Sequence, residues 1–157
     1  MKINALLYSD GSERSLSAAI YAAALMKGNP DMSLTIISCS QATRGAAGVV
    51  WDEGWSVPGA VAGIDQAVVR QTKKVFTDRH IKVESVVAQC GEAVAEKIVE
   101  YAHDGNFNLV IMGTKGPSDL KALVLGSVAH RVVHFSDRPV LLVKKLPAEI
   151  LAVLDEA

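Results

Sequence analysis

Five short apolar runs alternate with segments of helical periodicity along this chain, and this alternation constrains its fold more than any other feature of the sequence. The helical segments repeat apolar residues at spacings of three and four, as Leu16, Ala19 and Ala23 do. Parallel strands need crossover connections of this kind, and such connections are right-handed. We therefore predict one α/β domain with a doubly wound, Rossmann-like, five-stranded parallel sheet flanked by helices. The predicted strands span residues 3–8, 33–39, 81–88, 108–112 and 139–143.

Turn and capping residues place the helices between these strands. Ser12 has the side chain of a helix N-cap, and Gly28 stands where the periodicity of the first helix stops. The alternation of apolar and charged residues in 81–88 favours an edge strand. Further helices are predicted over residues 65–77, from Gly91-Glu92 to Gly105, and over 127–135.

The end of the chain continues beyond the last predicted strand. Residues 1–146 form the predicted nucleotide-binding domain. Pro147 is followed by Ile150, Leu151 and Leu154, a spacing typical of a short amphipathic helix. We therefore predict that 147–157 is a helical tail that covers a sheet face or a partner subunit.

The charge and composition of the chain exclude several classes of function. Its 157 residues are 50% hydrophobic and carry a formal net charge of −1, so it lacks the unbalanced Lys and Arg that attract nucleic acid or an anionic membrane. Its longest apolar stretch, 18–26, is too short to cross a bilayer, and no signal region is recognisable after Met1. We expect a cytoplasmic protein without nucleic-acid partners or membrane insertion, whose Cys39 and Cys90 are reduced core thiols.

A glycine-bounded loop between the fourth strand and the following helix carries the chemistry. It has the form G-x2-G-x9-G-S, with Gly113, Gly116, Gly126 and Ser127 at the fixed positions. Gly113 and Gly116 lack Cβ atoms, which allows positive φ and a close approach of backbone N–H groups to an anion. Gly126-Ser127 starts a helix, where free N–H groups and the helix dipole favour phosphate and the Ser127 hydroxyl can donate one more hydrogen bond. The loop therefore predicts a phosphate site.

This motif and its surroundings resemble the ATP-binding type of the universal stress protein family. The segment Tyr8-Ser9-Asp10-Gly11-Ser12 resembles the first strand and turn of that family, Gly91-Glu92 its third-strand turn, and Arg138-Pro139-Val140 its closing strand. The resemblance covers almost the whole chain. It departs at Asn108, where the family often has an acidic residue, and at Ser38, where a histidine is frequent.

The resemblance implies where a nucleotide binds and how the protein pairs. The nucleotide is held between the turn after the first strand and the Gly-rich loop after the fourth, with Asp10 beside it and the backbone of Cys39 at the adenine. The resemblance also implies a homodimer through the fifth strand, residues 138–145. With Lys115 from the loop itself, the predicted site residues are Ser9, Asp10, Cys39, Met112, Gly113, Lys115, Gly116, Gly126, Ser127 and Val128.

The predicted function is an ATP-binding stress-response module that acts on a regulatory protein partner, which the sequence does not identify. Magnesium is a candidate companion of ATP, because Asp10 could order the ion through water or accept a hydrogen bond from the base; a purely turn-forming Asp is the alternative. A slow ATP hydrolase is a second hypothesis, although no water-positioning residue or Arg finger is evident. A nucleotide-free protein-interaction module is the third.

Three weaker signals have two interpretations each. Lys115 either pairs with a terminal phosphate or points to solvent. Trp51 and Trp55 either stack on a base or pack against the protein's own surface. His130 and His134 share a predicted helix face, but no glutamate follows His130 as in a metalloprotease, so we predict no metal site.

Overall fold

Strands and helices alternate through the parts of the chain that the computed structural model describes, which are residues 2–40, 60–115 and 125–156. The strands are β1 (Asn4–Tyr8), β2 (Ser33–Ser40), β3 (Glu84–Gln89), β4 (Leu109–Gly113) and β5 (Val140–Val143). The helices are α1 (Glu13–Gly28), α2 (Ala60–Thr77), α3 (Val94–Asp104), α4 (Ser127–Phe135) and α5 (Ala148–Glu156). None of the helices in these ranges is both long enough and apolar enough to span a membrane.

The five strands form one parallel sheet in the order β3-β2-β1-β4-β5. Leu7 of β1 lies between Ile36 of β2 and Ile111 of β4, so β1 is the central strand. The chain moves from β1 towards β3 and then returns to the other side of β1 for β4 and β5. The predicted doubly wound fold is therefore confirmed, and the strand order reverses between β1 and β4.

The two faces of the sheet carry separate apolar clusters. Ala5 and Leu7 of β1 pack with α1 and α2, whereas Leu6 and Tyr8 pack with α3 and α4. Successive side chains of a strand point to opposite faces, which is why one buried strand serves both clusters.

The predicted edge strand β3 does lie at the end of the sheet, but it starts at Glu84, three residues after the predicted start at Ile81. The N–H of Ile81 donates to the carbonyl of Phe76 at 2.9 Å, and His80 adopts a φ of 59°. The backbone at Ile81 therefore closes the end of α2, while its side chain joins the apolar cluster beneath α1 and α2. An alternating pattern cannot distinguish such a helix-closing turn from a strand.

Helix α5 packs against helix α1, a contact that the sequence did not predict. The segment before α5 is already attached to α1, because the N–H of Leu146 donates to Ser17 Oγ at 3.2 Å. At the other end, Arg79 and Asp155 form an ion pair. The tail therefore covers the outer side of α1.

The prediction that Cys39 and Cys90 are separate reduced thiols was wrong, because the two form a disulfide. They are 51 residues apart in sequence, yet their Cα atoms are 5.5 Å apart. The pairing of β2 with β3 causes this proximity, since Cys39 lies opposite Ala88 in the register. Cysteine spacing along the chain contains no information about that register.

Candidate functional site

The carboxyl ends of β1 and β4 are neighbours at the point where the strand order reverses, which is where open α/β sheets place their ligand sites. Ser9 and Asp10 follow β1, and Thr114 and Lys115 follow β4. The N-terminus of α4 returns to the same place, because the Gly126 N–H donates to the Thr114 carbonyl at 2.7 Å. The sheet thus brings the two predicted parts of the site together.

The turn after β1 is stabilised by hydrogen bonds of its own residues. Asp10 Oδ1 accepts from the Ser12 N–H at 2.9 Å, around a Gly11 whose φ is +81°. Ser9 is fully buried, with its hydroxyl 2.7 Å from Thr72 Oγ1 and 3.3 Å from Ser15 Oγ. The Ser9 side chain therefore holds α2 against this turn, and Asp10 is left half-buried at the edge of the sheet.

The β1 side of the site places the acidic side chain of Asp10 beside the neutral phenol of Tyr8. Burial raises the pKa of Tyr8 far above its usual range, and the neighbouring carboxylate of Asp10 raises that pKa further. The phenol therefore stays protonated at neutral pH, and the negative charge on this side belongs to Asp10.

The loop after β4 is anchored at both ends by backbone hydrogen bonds. The Thr114 N–H donates to the Val143 carbonyl at 3.1 Å, while its carbonyl accepts from Gly126. This contact corrects one expectation, because the Gly126 N–H has an acceptor within the protein and is not a donor for a ligand. Gly116 lies outside the described residues.

The first turn of α4 offers the donors that Gly126 does not. The first intrahelical bond runs from the His130 N–H to the Gly126 carbonyl at 2.9 Å, so the N–H groups of Ser127, Val128 and Ala129 precede the intrahelical ladder. Gly126 provides no side-chain cap, and this first turn contains no acidic residue. Among the described residues, the first turn of α4 therefore places three N–H groups and the positive end of the helix dipole at the carboxyl ends of the strands with no acidic side chain in that turn.

Gly113 has a different role from the predicted one. Among the glycines whose backbone is described, only Gly11 and Gly91 have positive φ. A Cβ on Gly113 would lie 2.8 Å from the Arg14 carbonyl carbon and 2.9 Å from the Ser15 nitrogen. Gly113 is therefore small so that the first turn of α1 can rest on β4, and the expectation of positive φ was wrong.

The remaining predicted residues lie in different places: beneath α3 and α4, at the end of β4, on the exposed side of α4, or outside the described residues. Met112 is 2% exposed and joins the apolar cluster beneath α3 and α4, which half-buried Val128 and Cys39 also contact. Lys115 is half-buried at the end of β4. Trp51 and Trp55 lie outside the described residues. His130 and His134 are exposed on α4, and within the described ranges no three His, Cys, Asp or Glu side chains are grouped to hold a metal ion.

Sequence reasoning missed residues that position this site. Thr72 of α2 supports the turn after β1 from 63 residues away, and nothing in the local sequence signals that contact. Thr114 stands inside the glycine motif but was treated as a spacer, although it is 6% exposed and closes the loop. Arg14 packs on Gly113 at the point of strand reversal, and its position two residues after the helix N-cap Ser12 is the available signal.

Comparison with known proteins assigns the chain to a family. The family model described as "Universal stress protein family" matches residues 4–144. The chain belongs to the universal stress protein family. It is 35% identical to universal stress protein MJ0531 of Methanocaldococcus jannaschii over 80 residues, 51% of this chain and 46% of that protein. It is 32% identical to universal stress protein YxiE of Bacillus subtilis over 77 residues, 49% of this chain and 51% of that protein. The chain therefore spans about half the length of the curated relatives it matches.

Solved structures share the fold over nearly the whole chain. Protein MJ0577 of Methanocaldococcus jannaschii superimposes with a TM-score of 0.68 at 21% identity, over 94% of this chain and 99% of that chain. The universal stress protein from Archaeoglobus fulgidus in complex with dAMP gives a TM-score of 0.66 at 14% identity, over 92% and 98%. A universal stress protein in complex with cAMP gives 0.63 at 21% identity, also over 92% and 98%.

Proposed function

We propose that this protein is a cytoplasmic ATP-binding stress-response module whose nucleotide lies between the turn after β1 and the start of α4. The observation that carries the proposal is the uncapped first turn of α4, with the N–H groups of Ser127 and Val128 at the point of strand reversal. Family membership and the adenine nucleotides bound by two proteins of the same fold support adenine as the base.

The turn after β1 and the start of α4 form the two sides of an opening at the carboxyl ends of the strands. These two sides suit the two ends of a nucleotide. Phosphates belong at α4, where free N–H groups and the dipole favour negative charge, with Lys115 as the nearest proposed cation. The Asp10 carboxylate on the β1 side would repel a phosphate and suits a base N–H donor, a ribose hydroxyl or a water-bound magnesium ion. We therefore propose that adenine and ribose lie towards Asp10 and the Cys39 backbone. The other proposed contacts are Ser9, Met112, Gly113, Gly116 and Gly126, the last by the close approach that its missing side chain allows and not through its N–H, which donates to Thr114.

In the first experiment, protein purified without added nucleotide is denatured and any small molecule that it releases is identified. The protein is then titrated calorimetrically with ATP, AMP and cAMP, each with and without magnesium. Micromolar ATP binding corresponds to about −8 kcal/mol, which needs several charge-assisted hydrogen bonds together with base burial. We expect ATP near one per chain or micromolar binding. A well-folded protein that retains and binds none of these nucleotides contradicts the proposal and leaves the protein-interaction module. Release of ADP during the titration would instead favour the hydrolase.

We also propose a homodimer through residues 138–145. In the described part of the chain β5 pairs with β4 alone, so its outer edge carries unpaired backbone groups. Val133 and Phe135 on the adjacent α4 are 46% and 55% exposed. An antiparallel pairing of two β5 edges about a twofold axis would satisfy those groups and cover these side chains.

Proline substitution in β5 tests the dimer without removing the sheet. The carbonyls of Pro139 and Val143 accept from β4, so the alternation of the strand turns the N–H of Leu142 outward and that of Leu141 inward. We expect Leu142→Pro to be monomeric and folded in analytical ultracentrifugation, and Leu141→Pro, the matched control, to lose stability. A dimeric Leu142→Pro protein would contradict pairing through this edge.

A further inference from the structure

The disulfide between Cys39 and Cys90 lies at the same end of the sheet as the candidate site. Cys39 is the penultimate residue of β2, and Cys90 directly follows β3. Between them, the Ser40 carbonyl accepts from the N–H groups of Cys90 at 3.0 Å and Gly91 at 3.3 Å. One covalent bond and two hydrogen bonds therefore hold the end of β2 to the turn after β3.

This end of β2 is next to the turn that carries Asp10. The Ser9 N–H donates to the Ile37 carbonyl at 3.0 Å, two residues before Cys39. Neighbouring strands are about 4.8 Å apart, so Cys39 is one strand spacing from the proposed nucleotide contacts on β1. Cys39 and Cys90 also share an apolar cluster with Tyr8 and Met112. The disulfide thus lies on the α3 and α4 face of the sheet, beside the opening.

The disulfide also connects β2 with the start of α3. The Cys90 carbonyl accepts from the Ala93 N–H at 3.0 Å, directly before α3 begins at Val94. Gly91 adopts a φ of +55° in this turn. Breaking the disulfide therefore removes the covalent link between the end of β2 and the segment that sets where α3 starts, and leaves only the hydrogen bonds of the Ser40 carbonyl and the strand pairing to hold them together.

We propose that Cys39 and Cys90 form a thiol–disulfide switch that controls the affinity of the adjoining site for adenine nucleotides. The inference rests on the proposed function and adds its regulation. Two equivalents of a small thiol supply two electrons and two protons, the S–S bond breaks, two cysteine thiols form, and the reductant leaves as its own disulfide. A cystine in a cytoplasmic protein is usually transient or redox-sensing, which fits a switch better than a structural cross-link.

The oxidised form is the tighter binder. The cross-link fixes the backbone at Cys39 before the ligand arrives, so less conformational entropy is lost on binding. Reduction leaves the end of β2 held by hydrogen bonds alone and therefore more mobile, and we expect the dissociation constant for ATP to rise about tenfold. Because coupling is reciprocal, saturating ATP must make the disulfide harder to reduce by the same factor, a shift of about 30 mV for a two-electron couple.

The experiment compares oxidised protein, protein reduced with dithiothreitol, and the variant Cys90→Ser, each titrated with ATP by calorimetry. Cys90→Ser leaves the Cys39 backbone in place, and Cys39→Ser/Cys90→Ser controls for the thiol that remains. Both variants should bind ATP as reduced wild type does and should ignore dithiothreitol. In parallel, alkylation and mass spectrometry across glutathione redox buffers, with and without ATP, measure the midpoint of the cysteine pair.

The outcomes separate the switch from the site. Equal ATP affinity of the oxidised and reduced forms, with binding intact, overturns the switch and leaves the proposed function standing. Absence of ATP binding in both forms overturns the proposed function and with it the switch. Two cysteines that stay alkylatable in every glutathione buffer overturn the switch independently of any nucleotide. Tighter binding by the oxidised form, with a matching ATP-dependent midpoint shift, supports it.

Discussion

The N-termini of α1 and α4 have nearly the same backbone but opposite chemistry. Ser12, which precedes α1, has φ −69° and ψ 161°, and Gly126, which precedes α4, has φ −66° and ψ 159°. At α1 the Ser12 side chain accepts from the Ser15 N–H, and Glu13 stands in the first turn. At α4 neither a side-chain cap nor an acidic residue is present.

This difference shows that helix geometry alone does not make an anion site. Both helices present free N–H groups and a positive dipole end to the same edge of the sheet, but α1 neutralises its own with Ser12, Glu13 and nearby Asp10. Of these two helices, α4 is the one whose first turn, within the described residues, has neither a side-chain cap nor an acidic residue and so suits an external anion. The choice between phosphate and base at the two sides of the opening thus depends on a few side chains.

The largest expected effect comes from disturbing the contact between the first turn of α1 and the end of β4. Gly113→Val places a side chain against the backbone of Arg14 and Ser15, and we expect it to cost about 3 kcal/mol or more of unfolding free energy, because overpacking against backbone cannot relax easily. Urea unfolding followed by circular dichroism measures this. Gly28→Val is the control, since nothing lies within 4 Å of a Cβ there. Equal midpoints for the two variants would mean that α1 does not rest on Gly113.

The next effect comes from giving α4 the acidic first turn that α1 has. Ser127 is exposed at the first position of α4, so Ser127→Asp places a carboxylate where the phosphate is proposed to bind. We expect ATP affinity to fall about 100-fold or more, while the dipole interaction stabilises the fold by about 0.3–1 kcal/mol. Calorimetry and thermal unfolding measure the two opposite signs. Ser127→Asn is the uncharged control, and an equal loss of affinity in both variants would point to shape and not charge.

A smaller effect separates the two helix starts by their N–H groups alone. Proline is tolerated at the first helical position, and the backbone at Gly126 and Ser12 already has the extended conformation that precedes proline. Compared with Ser127→Ala, which already lacks the hydroxyl, Ser127→Pro removes only the proposed N–H donor and should weaken ATP binding about 10- to 100-fold, the value of one hydrogen bond to a charged group.

Glu13→Pro is the matched change at α1 and should leave ATP affinity within about twofold, because an exposed ion pair such as Glu13–Lys145 contributes little. Titration of both variants side by side gives the comparison. Equal losses of affinity would contradict the assignment of phosphate to α4.

The smallest effect concerns the acidic side of the opening. Burial is the larger cause of the raised Tyr8 pKa and the Asp10 charge the smaller, so Asp10→Asn should lower that pKa only partly towards its ordinary value. Because the folded pKa lies above the unfolded one, the stability from neutral Tyr8 is present below about pH 10 and is lost as pH rises above it. Tyrosinate absorbance in a background with Tyr21→Phe and Tyr101→Phe measures the pKa. An unchanged pKa would place the Asp10 charge away from the phenol.

Local patterns predict the elements well where independent physical signals agree. Residues 127–135 were predicted as a helix and form α4, because a glycine N-cap and a regular apolar spacing both stand in the sequence. Ile81 was assigned to a strand because its apolar side chain fits an alternation, but its backbone ends α2. Gly113 was correctly singled out, and for the wrong reason, since the contact that requires a glycine comes from α1.

The sequence by itself determined the alternation of strands and helices, the fold class, the family resemblance and the loop that leads to α4, because each depends on residues close together in the chain. The tertiary structure decided which groups are free. It engaged the Gly126 N–H with Thr114, buried Ser9 against Thr72, and joined Cys39 to Cys90. These contacts depend on strand order and register, and a hydrogen bond made within the protein removes a donor that the sequence still appears to offer.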